Sequence, residues 1–382
     1  MSHKVLPGQT IGILGGGQLG RMLAFEARRN GYKVVVLDPM EDSPAGLLAD
    51  KQIVAEFDDV EAAKRLAEMC DVVTYEFENI NVELVKELEK DHQVFPGSQL
   101  LEVTQHRFLE KSFFKENGLG VTQFAKVGSK EDLVRAEQEV GYPAVLKTCR
   151  FGYDGKGQRV VSDHGEAVEA FEELGGEDLI WEKMVDFKCE VSVIAVRNGQ
   201  GEVVTYPVPE NLHHNNILDF SLVPARIDES VANEARDMTK KVAIALNVVG
   251  TFCVEFFVLE DGSLLANEIA PRPHNSGHYT LEGCLVSQFE NQLRAICGLP
   301  LGSTELLTPT VMANLLGSGE GDDLLGVEAA FVDEDVRLHL YEKKSAKLNR
   351  KMGHLTVVAS DVEAALEKAR EARDKLSWGN IN

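Results

Sequence analysis

The chain has 382 residues, long enough for two or three domains with substantial cores. Its 44% hydrophobic and 26% charged content is that of an ordinary globular protein, while a formal net charge of -23 argues against nucleic acid or an anionic membrane as partner. Six scattered cysteines without C-x-x-C spacing indicate reduced thiols, with neither a disulfide framework nor a zinc site. Met1 to Gln9 lacks the basic start and apolar core of a signal peptide, and no apolar run approaches ~20 residues, so a cytoplasmic location is expected.

From Thr10 an apolar strand runs into the glycine turn Gly15-Gly16-Gly17-Gln18-Leu19-Gly20, an amphipathic helix and the strand Val34 to Asp38, a βαβ unit. Further strands at Val72 to Tyr75 and Val94 to Gly97, with a helix between them, extend a parallel α/β domain to about residue 100. Helix His106 to Asn117 opens a second region. Its expected elements are strand Ala144 to Lys147, a polar loop, strand Val160-Val161, helix Glu166 to Leu174, strands Leu179 to Glu182, Glu190 to Val196 and Val203 to Pro207, and helix Ser230 to Leu246. A hairpin from Thr251 to Ala270, a Pro-His-rich loop and helix Leu281 to Cys297 close that region. The tail from about Thr308 mixes short strands with helix Val362 to Leu376 and reads as a third, smaller unit.

Gly15, Gly17 and Gly20 fit G-x-G-x-x-G, and Asp38 lies near where a ribose-binding acid would fall in a dinucleotide fold. The turn could bind a nicotinamide dinucleotide, contact a phosphate or other substrate, or serve only tight strand-to-helix packing. The hairpin is more discriminating. If Asp261-Gly262 is a two-residue turn, Glu260 faces Ser263 and Glu255 falls directly opposite Glu268, with Cys253, Phe257, Ala266 and Ala270 flanking them. Cβ atoms of such neighbours lie about 5 Å apart and like charges there repel, so a shared divalent cation is expected; a splayed or partly protonated pair is the alternative. Asn267 would join this site only through a twist or bulge. Between two strands, Phe151 to Gln158 offers glycine N–H groups and Lys156 to a phosphate, without the G-K-[ST] ending of a Walker loop; a long hairpin turn would look the same. Lys147 is either a second phosphate contact or a solvated strand end.

In order, Lys147, the glycine loop, Glu182-Lys183-Met184-Val185, Glu190, Glu255 and Asn267-Glu268 resemble the ATP-grasp superfamily. Gly15 to Met22, Gly152 to Gln158 and Pro271 to His278 resemble, within it, the N5-carboxyaminoimidazole ribonucleotide synthetases of purine synthesis. The resemblance implies an ATP-grasp fold, α/β and α+β, with a Rossmann-like parallel α/β domain over 1–105. An ATP-grasp domain would follow over 106–305, with a lid at about 125–185, and a small C-terminal domain over 306–382. It implies that Arg107, Lys147, Gly152, Tyr153, Asp154, Gly155, Lys156, Gly157 and Gln158 handle ATP phosphates and that Glu182, Lys183, Met184 and Val185 hold adenine. Glu190 would bond the ribose, His213 and Asn267 would lie at the nucleotide, and Glu255 and Glu268 would carry Mg²⁺, or Mn²⁺ in its place. The substrates implied are ATP, bicarbonate and aminoimidazole ribonucleotide, and the assembly implied is a homodimer.

For the ribonucleotide the same resemblance points to Glu76, Tyr153, Asp154, Lys156, His274, Asn275, Ser276, His278, Lys344 and Arg350, with Asp154, Lys156 and Arg272 at the chemistry. Lys343, Lys344, Lys347, Arg350 and Lys351 form the densest basic cluster, either a phosphate site or a solvated loop, and the choice between Lys343 and Lys344 stays open. Lys156 stands where an arginine is common, which loses bidentate geometry. His92, His164 and His339 are expected at the surface. Competing readings are an ATP-grasp ligase with another acid or acceptor (a formate-using glycinamide ribonucleotide transformylase or a biotin carboxylase), a nicotinamide dehydrogenase, and a non-catalytic nucleotide sensor.

Overall fold

The computed structural model describes residues 4–150 and 156–380, so Gly152, Tyr153, Asp154 and Gly155 of the glycine loop lie outside the described residues. Alternating apolar strands and amphipathic helices give the first hundred residues a parallel four-stranded sheet, in spatial order Lys51–Ile53, Lys33–Leu37, Thr10–Leu14, Val72–Tyr75. The central strands are buried on both faces, as a sheet sandwiched by helices requires. Ile11, Ile13, Val34 and Val36 pack against the Gln18–Arg29 helix, while Leu14, Val35 and Leu37 face the Val60–Glu68 and Val82–Glu89 helices. The strand expected at Val94 to Gly97 is a single bridge from Val94 to Val73.

An antiparallel sheet follows, in order Phe124–Val127, Leu179–Lys183, Ala144–Thr148, Gln158–Val161. Helices Lys130–Val140 and His164–Glu173 cover one face of it, each started by a side-chain cap, Ser129 on Asp132 N–H and Asp163 on Glu166 N–H. The central sheet has nine strands, eight of them in order Leu264–Ala270, Gly250–Val258, Cys189–Arg197, Glu210–His214, Ile217–Val223, Thr310–Leu316, Lys351–Val358, Val336–Leu340. Helix Glu229–Ala245 lays Val231, Ala235 and Val242 on Val193, Phe252 and Val254. No helix among the described residues is long and apolar enough to cross a membrane.

Two further expectations change. The hairpin Glu210–His214 to Ile217–Val223 was not expected; its two-residue turn is Asn215-Asn216, both at positive φ, which asparagine tolerates better than most residues. Helix Leu281 to Cys297 is instead two pieces, Thr280–Gly283 and Gln288–Ile296, because Cys284 bridges to Leu306 and Ser287 starts a new helix by accepting Glu290 N–H. The tail is tied to the central sheet through Thr310–Leu316, which pairs with Ile217–Val223 and brings in Lys351–Val358 and Val336–Leu340, while Asp323–Leu325 and Ser377–Gly379 pair with each other in a sheet of their own.

Candidate active site

The Gly250–Val258 and Leu264–Ala270 strands pair Glu255 with Glu268, though not by the simple count. The turn takes three residues: Leu259 N–H bonds Ser263 O, and Gly262 sits at φ 84. That slips the register by one, to Phe257↔Leu265 and Phe256↔Ala266, and a bulge at Asn267 slips it back. Ala266 therefore lies in the core with Phe256, and Leu265, not Ala266, is opposite Phe257. The bulge is the irregularity that Asn267 needed in order to line the same cleft as its neighbour Glu268. Burial and the facing Glu268 raise the Glu255 carboxyl above the ordinary range, and His274 Nε2 stands 3.3 Å from its oxygen.

Opposite this pair is a row of cations supplied by the Arg107–Glu116 helix and the antiparallel sheet. Arg107 Nη1 lies 3.9 Å from Glu268. Lys111 Nζ donates to the Asn267 carbonyl at 2.7 Å, and Lys111 and Lys147 stand 3.5 and 3.2 Å from the same Glu182 oxygen. Burial alone would raise Glu182, but Lys111 and Lys147 outweigh it and hold its carboxyl at about 2. Burial lowers Lys147, helped by Lys111 and Arg107, against the pull of Glu182. On the same helix face Glu110 accepts Ile269 N–H at 2.7 Å, and burial followed by Glu268 pushes it up to about 8. These groups line a cavity of about 430 Å³ together with Gln158, Glu190, His213, Arg272, Asn275 and Lys351. His213 Nδ1 is 3.4 Å from Glu190, and Arg272 Nε donates to Glu78 at 2.6 Å, holding Glu78 at about 2 against its burial.

The remaining expected residues have other surroundings. Lys183 donates to Tyr142 O, Met184 is exposed and Val185 half-buried, while Glu182 spends its carboxylate on the lysines. Ser276 lies behind the cleft in a buried relay, where His274 Nδ1, Ser276, Ser192, Asn211 and Ser221 bond in sequence over 2.7 to 3.0 Å. Asn275 exchanges two amide bonds with Asn314, and fully buried His278 packs against His354 and Phe289 rather than reaching the cavity. His339 is half-buried, stacked on His354 and 2.8 Å from Glu282, not free at the surface; Lys156 is exposed and Gly157 half-buried.

The glycine turn is filled from within. Glu76 accepts Gly17 and Gly20 N–H at 2.5 and 2.9 Å, and Asp38 accepts Gly16 N–H at 2.8 Å. A Cβ on Gly17 would lie 2.4 Å from a Glu76 oxygen, so glycine is there to admit that carboxylate. With the donors taken, a dinucleotide pyrophosphate has no anion slot, which removes the basis of the nicotinamide reading. Within the basic cluster of the tail, Lys343 is the residue whose field reaches Glu76; burial and Arg350 lower it to about 8. Lys344 is exposed and donates to the Glu41 carbonyl, and Arg350 donates to the Ser345 carbonyl. Glu78, Glu110 and Lys111 were not anticipated, yet Arg107, Glu110 and Lys111 carry the i, i+3, i+4 spacing of one helix face.

Comparison with known proteins gives three family matches along the chain. Residues 8–105 match the ribonucleotide synthetase preATP-grasp domain, 112–289 the ATP-grasp domain, and 310–368 the phosphoribosylaminoimidazole carboxylase C-terminal domain. The N5-carboxyaminoimidazole ribonucleotide synthase of Bacillus subtilis is 49% identical, over 93% of each chain. The structure of the Staphylococcus aureus synthetase with ADP superposes with a TM-score of 0.90 at 41% identity, covering 97% of this chain and 98% of that one. That of the Aspergillus clavatus synthase with ADP and 5-aminoimidazole ribonucleotide has a TM-score of 0.89 at 34% identity, covering 96% and 98%. The chain belongs to the N5-carboxyaminoimidazole ribonucleotide synthase family of ATP-grasp enzymes.

Proposed function

We propose that the chain uses ATP to carboxylate the amine of 5-aminoimidazole ribonucleotide with bicarbonate, releasing ADP and phosphate in purine synthesis. A bicarbonate oxygen attacks the γ-phosphorus as its bond to the ADP oxygen breaks, giving carboxyphosphate. The amine lone pair then attacks the carboxyl carbon, phosphate leaving as the C–N bond forms or beforehand to give CO₂, and the nitrogen gives up a proton to solvent or to the departing phosphate. The observation that carries this reading is one cleft holding the Glu255–Glu268 pair against Arg107, Lys111 and Lys147. Three buried or half-buried cations suit a polyphosphate, because transfer of a phosphoryl group is catalysed mainly by positioning and charge stabilisation.

The donors at the carboxylate end are oxygens from Glu255, Glu268 and Asn267, and the pair repels itself when ionised, which fits Mg²⁺ or Mn²⁺. When bound there, the metal would neutralise phosphate charge. Glu190 and His213 would meet the ribose, and the 182–185 segment the adenine. Glu76, Lys343 and Arg350 would form the ribonucleotide end, beside Arg272 and His274, with Asp154 orienting the amine. A cytoplasmic homodimer is the setting that the family resemblance implies.

The deciding experiment is ADP release from Mg-ATP and bicarbonate with and without aminoimidazole ribonucleotide. Stimulation by the ribonucleotide, with the N-carboxylated product recovered, is expected. Binding of ATP without such stimulation would move the assignment to another ATP-grasp acceptor.

A further inference from the structure

Where the Arg107–Glu116 helix meets the antiparallel sheet, three segments far apart in sequence bring together a ring nitrogen of His106, Sγ of Cys149 and a carboxylate oxygen of Asp178, all within 4.8 Å of one another. The backbone fixes them: Arg107 N–H bonds Cys149 O, and Cys149 N–H bonds Asp178 O, both at 2.9 Å. His106 Nε2 lies 3.0 Å from Asp178 Oδ1, and its Nδ1 is buried without a hydrogen-bond partner among the described residues, a condition rare in protein interiors. His106 is 7% exposed and Cys149 1%, whereas Asp178 is exposed and gives access from solvent. None of the three belongs to the carboxylate pair or to the cations that face it, although Cys149 also lines the wall of their cavity.

We propose that His106, Cys149 and Asp178 form a site for a thiophilic divalent cation of the zinc class, with ligands distinct from those of the carboxylate pair. One sulfur, one imidazole nitrogen and one carboxylate oxygen make a three-ligand set with a fourth position left to water. Bonds of about 2.0 to 2.3 Å to such an ion require the outermost donor to close by only about 1 Å. As the metal–sulfur bond forms, the Cys149 proton leaves to solvent.

Burial opposes this, since it pushes the thiol up to about 11, and Asp178 pushes the same way. Phe108 N–H, in the first turn of the helix, bonds the sulfur, and Lys126 and Arg107 favour the thiolate. Arg150 Nε, 4.0 Å from Asp178, and the same Lys126 and Arg107 repel an incoming cation, which a thiolate and a carboxylate together offset. Sequence spacing does not reveal this set, because its members lie 43 and 29 residues apart. An ion there would tie the sheet strands bearing Lys147 and Glu182 to the start of the helix bearing Arg107 and Lys111.

The test is titration of the full-length, chelator-treated protein with Cd²⁺ in excess Mg²⁺, which saturates the carboxylate pair, reading the ultraviolet charge-transfer band of a cadmium thiolate. One equivalent is expected to produce the band and raise the thermal midpoint. Cys149→Ser should lose the band, and Asp178→Asn, at an exposed position that leaves folding intact, should weaken binding at least tenfold. Absence of the band in wild type, its persistence in Cys149→Ser, or wild-type affinity in Asp178→Asn would each overturn the assignment.

Discussion

Replacing Glu182 with glutamine removes the carboxylate that lies between two buried ammonium groups, 3.2 Å from Lys147 and 3.5 Å from Lys111. Holding that carboxyl at about 2 instead of its ordinary 4.5 corresponds, at about 1.4 kcal/mol per pH unit, to about 3 kcal/mol of stability. Removing one partner of a buried pair costs about 3 to 5 kcal/mol by an independent route, so the two scales agree. Because the folded carboxyl is the more acidic, its contribution is present above 4.5 and is lost as pH falls from there toward about 2. The gap between wild type and Glu182→Gln should therefore narrow by roughly 1.4 kcal/mol between about pH 7 and about pH 3.5. Urea unfolding followed by the fluorescence of buried neighbour Trp181, in a Trp378→Phe background that silences the other tryptophan, reads this directly. A midpoint for Glu182→Gln within about 0.5 kcal/mol of wild type at neutral pH would refute the pairing.

Four further outcomes are expected. Glu110 is pushed up to about 8, so the folded state holds a proton that the unfolded chain loses above 4.5, and stability should fall as pH rises between those values; Glu110→Gln should flatten that fall in a pH series of thermal midpoints. Glu255→Gln relieves a repelling pair, so it should raise the thermal midpoint in a chelator at alkaline pH while lowering kcat with Mg-ATP about 100-fold; a midpoint that drops would count against the repulsion. Gly17→Ala drives a Cβ into Glu76 and should cost about 1 to 3 kcal/mol, with KM rising for the ribonucleotide more than for ATP. Lys343→Ala should raise the ribonucleotide KM about tenfold, the size of one lost charge-assisted contact, and Lys344→Ala should leave it unchanged; the reverse pattern would return the role to Lys344.

The parts of this site legible in the sequence were those whose chemistry is local. A hairpin carrying two glutamates reveals their apposition, although here the count from Asp261-Gly262 reached Glu268 only because a three-residue turn and the bulge at Asn267 cancel. Strand and helix placements followed where periodicity was strong, as in Thr10–Leu14 and Glu229–Ala245. What stayed hidden depends on distance along the chain. Glu76 fills the glycine turn from 59 residues away, and Lys111 reaches Asn267 from 156 away, pairings that no local pattern carries. Ser287 was a legible helix start inside a stretch whose apolar periodicity suggested one continuous helix, and there the cap prevailed over the pattern.

The insertion of Thr310–Leu316 between Ile217–Val223 and Lys351–Val358 means that the matched C-terminal segment shares one sheet with the segment before it. A truncated chain ending before Thr310 would expose the hydrogen-bonding edge of Ile217–Val223, a strand with buried Phe220, Leu222 and Val223, and would invite edge-to-edge self-association. It would also forfeit Lys351, which the tail brings to the cleft. Dissection of this enzyme by sequence boundaries is thus expected to yield insoluble fragments; point substitution within the intact chain is the workable route.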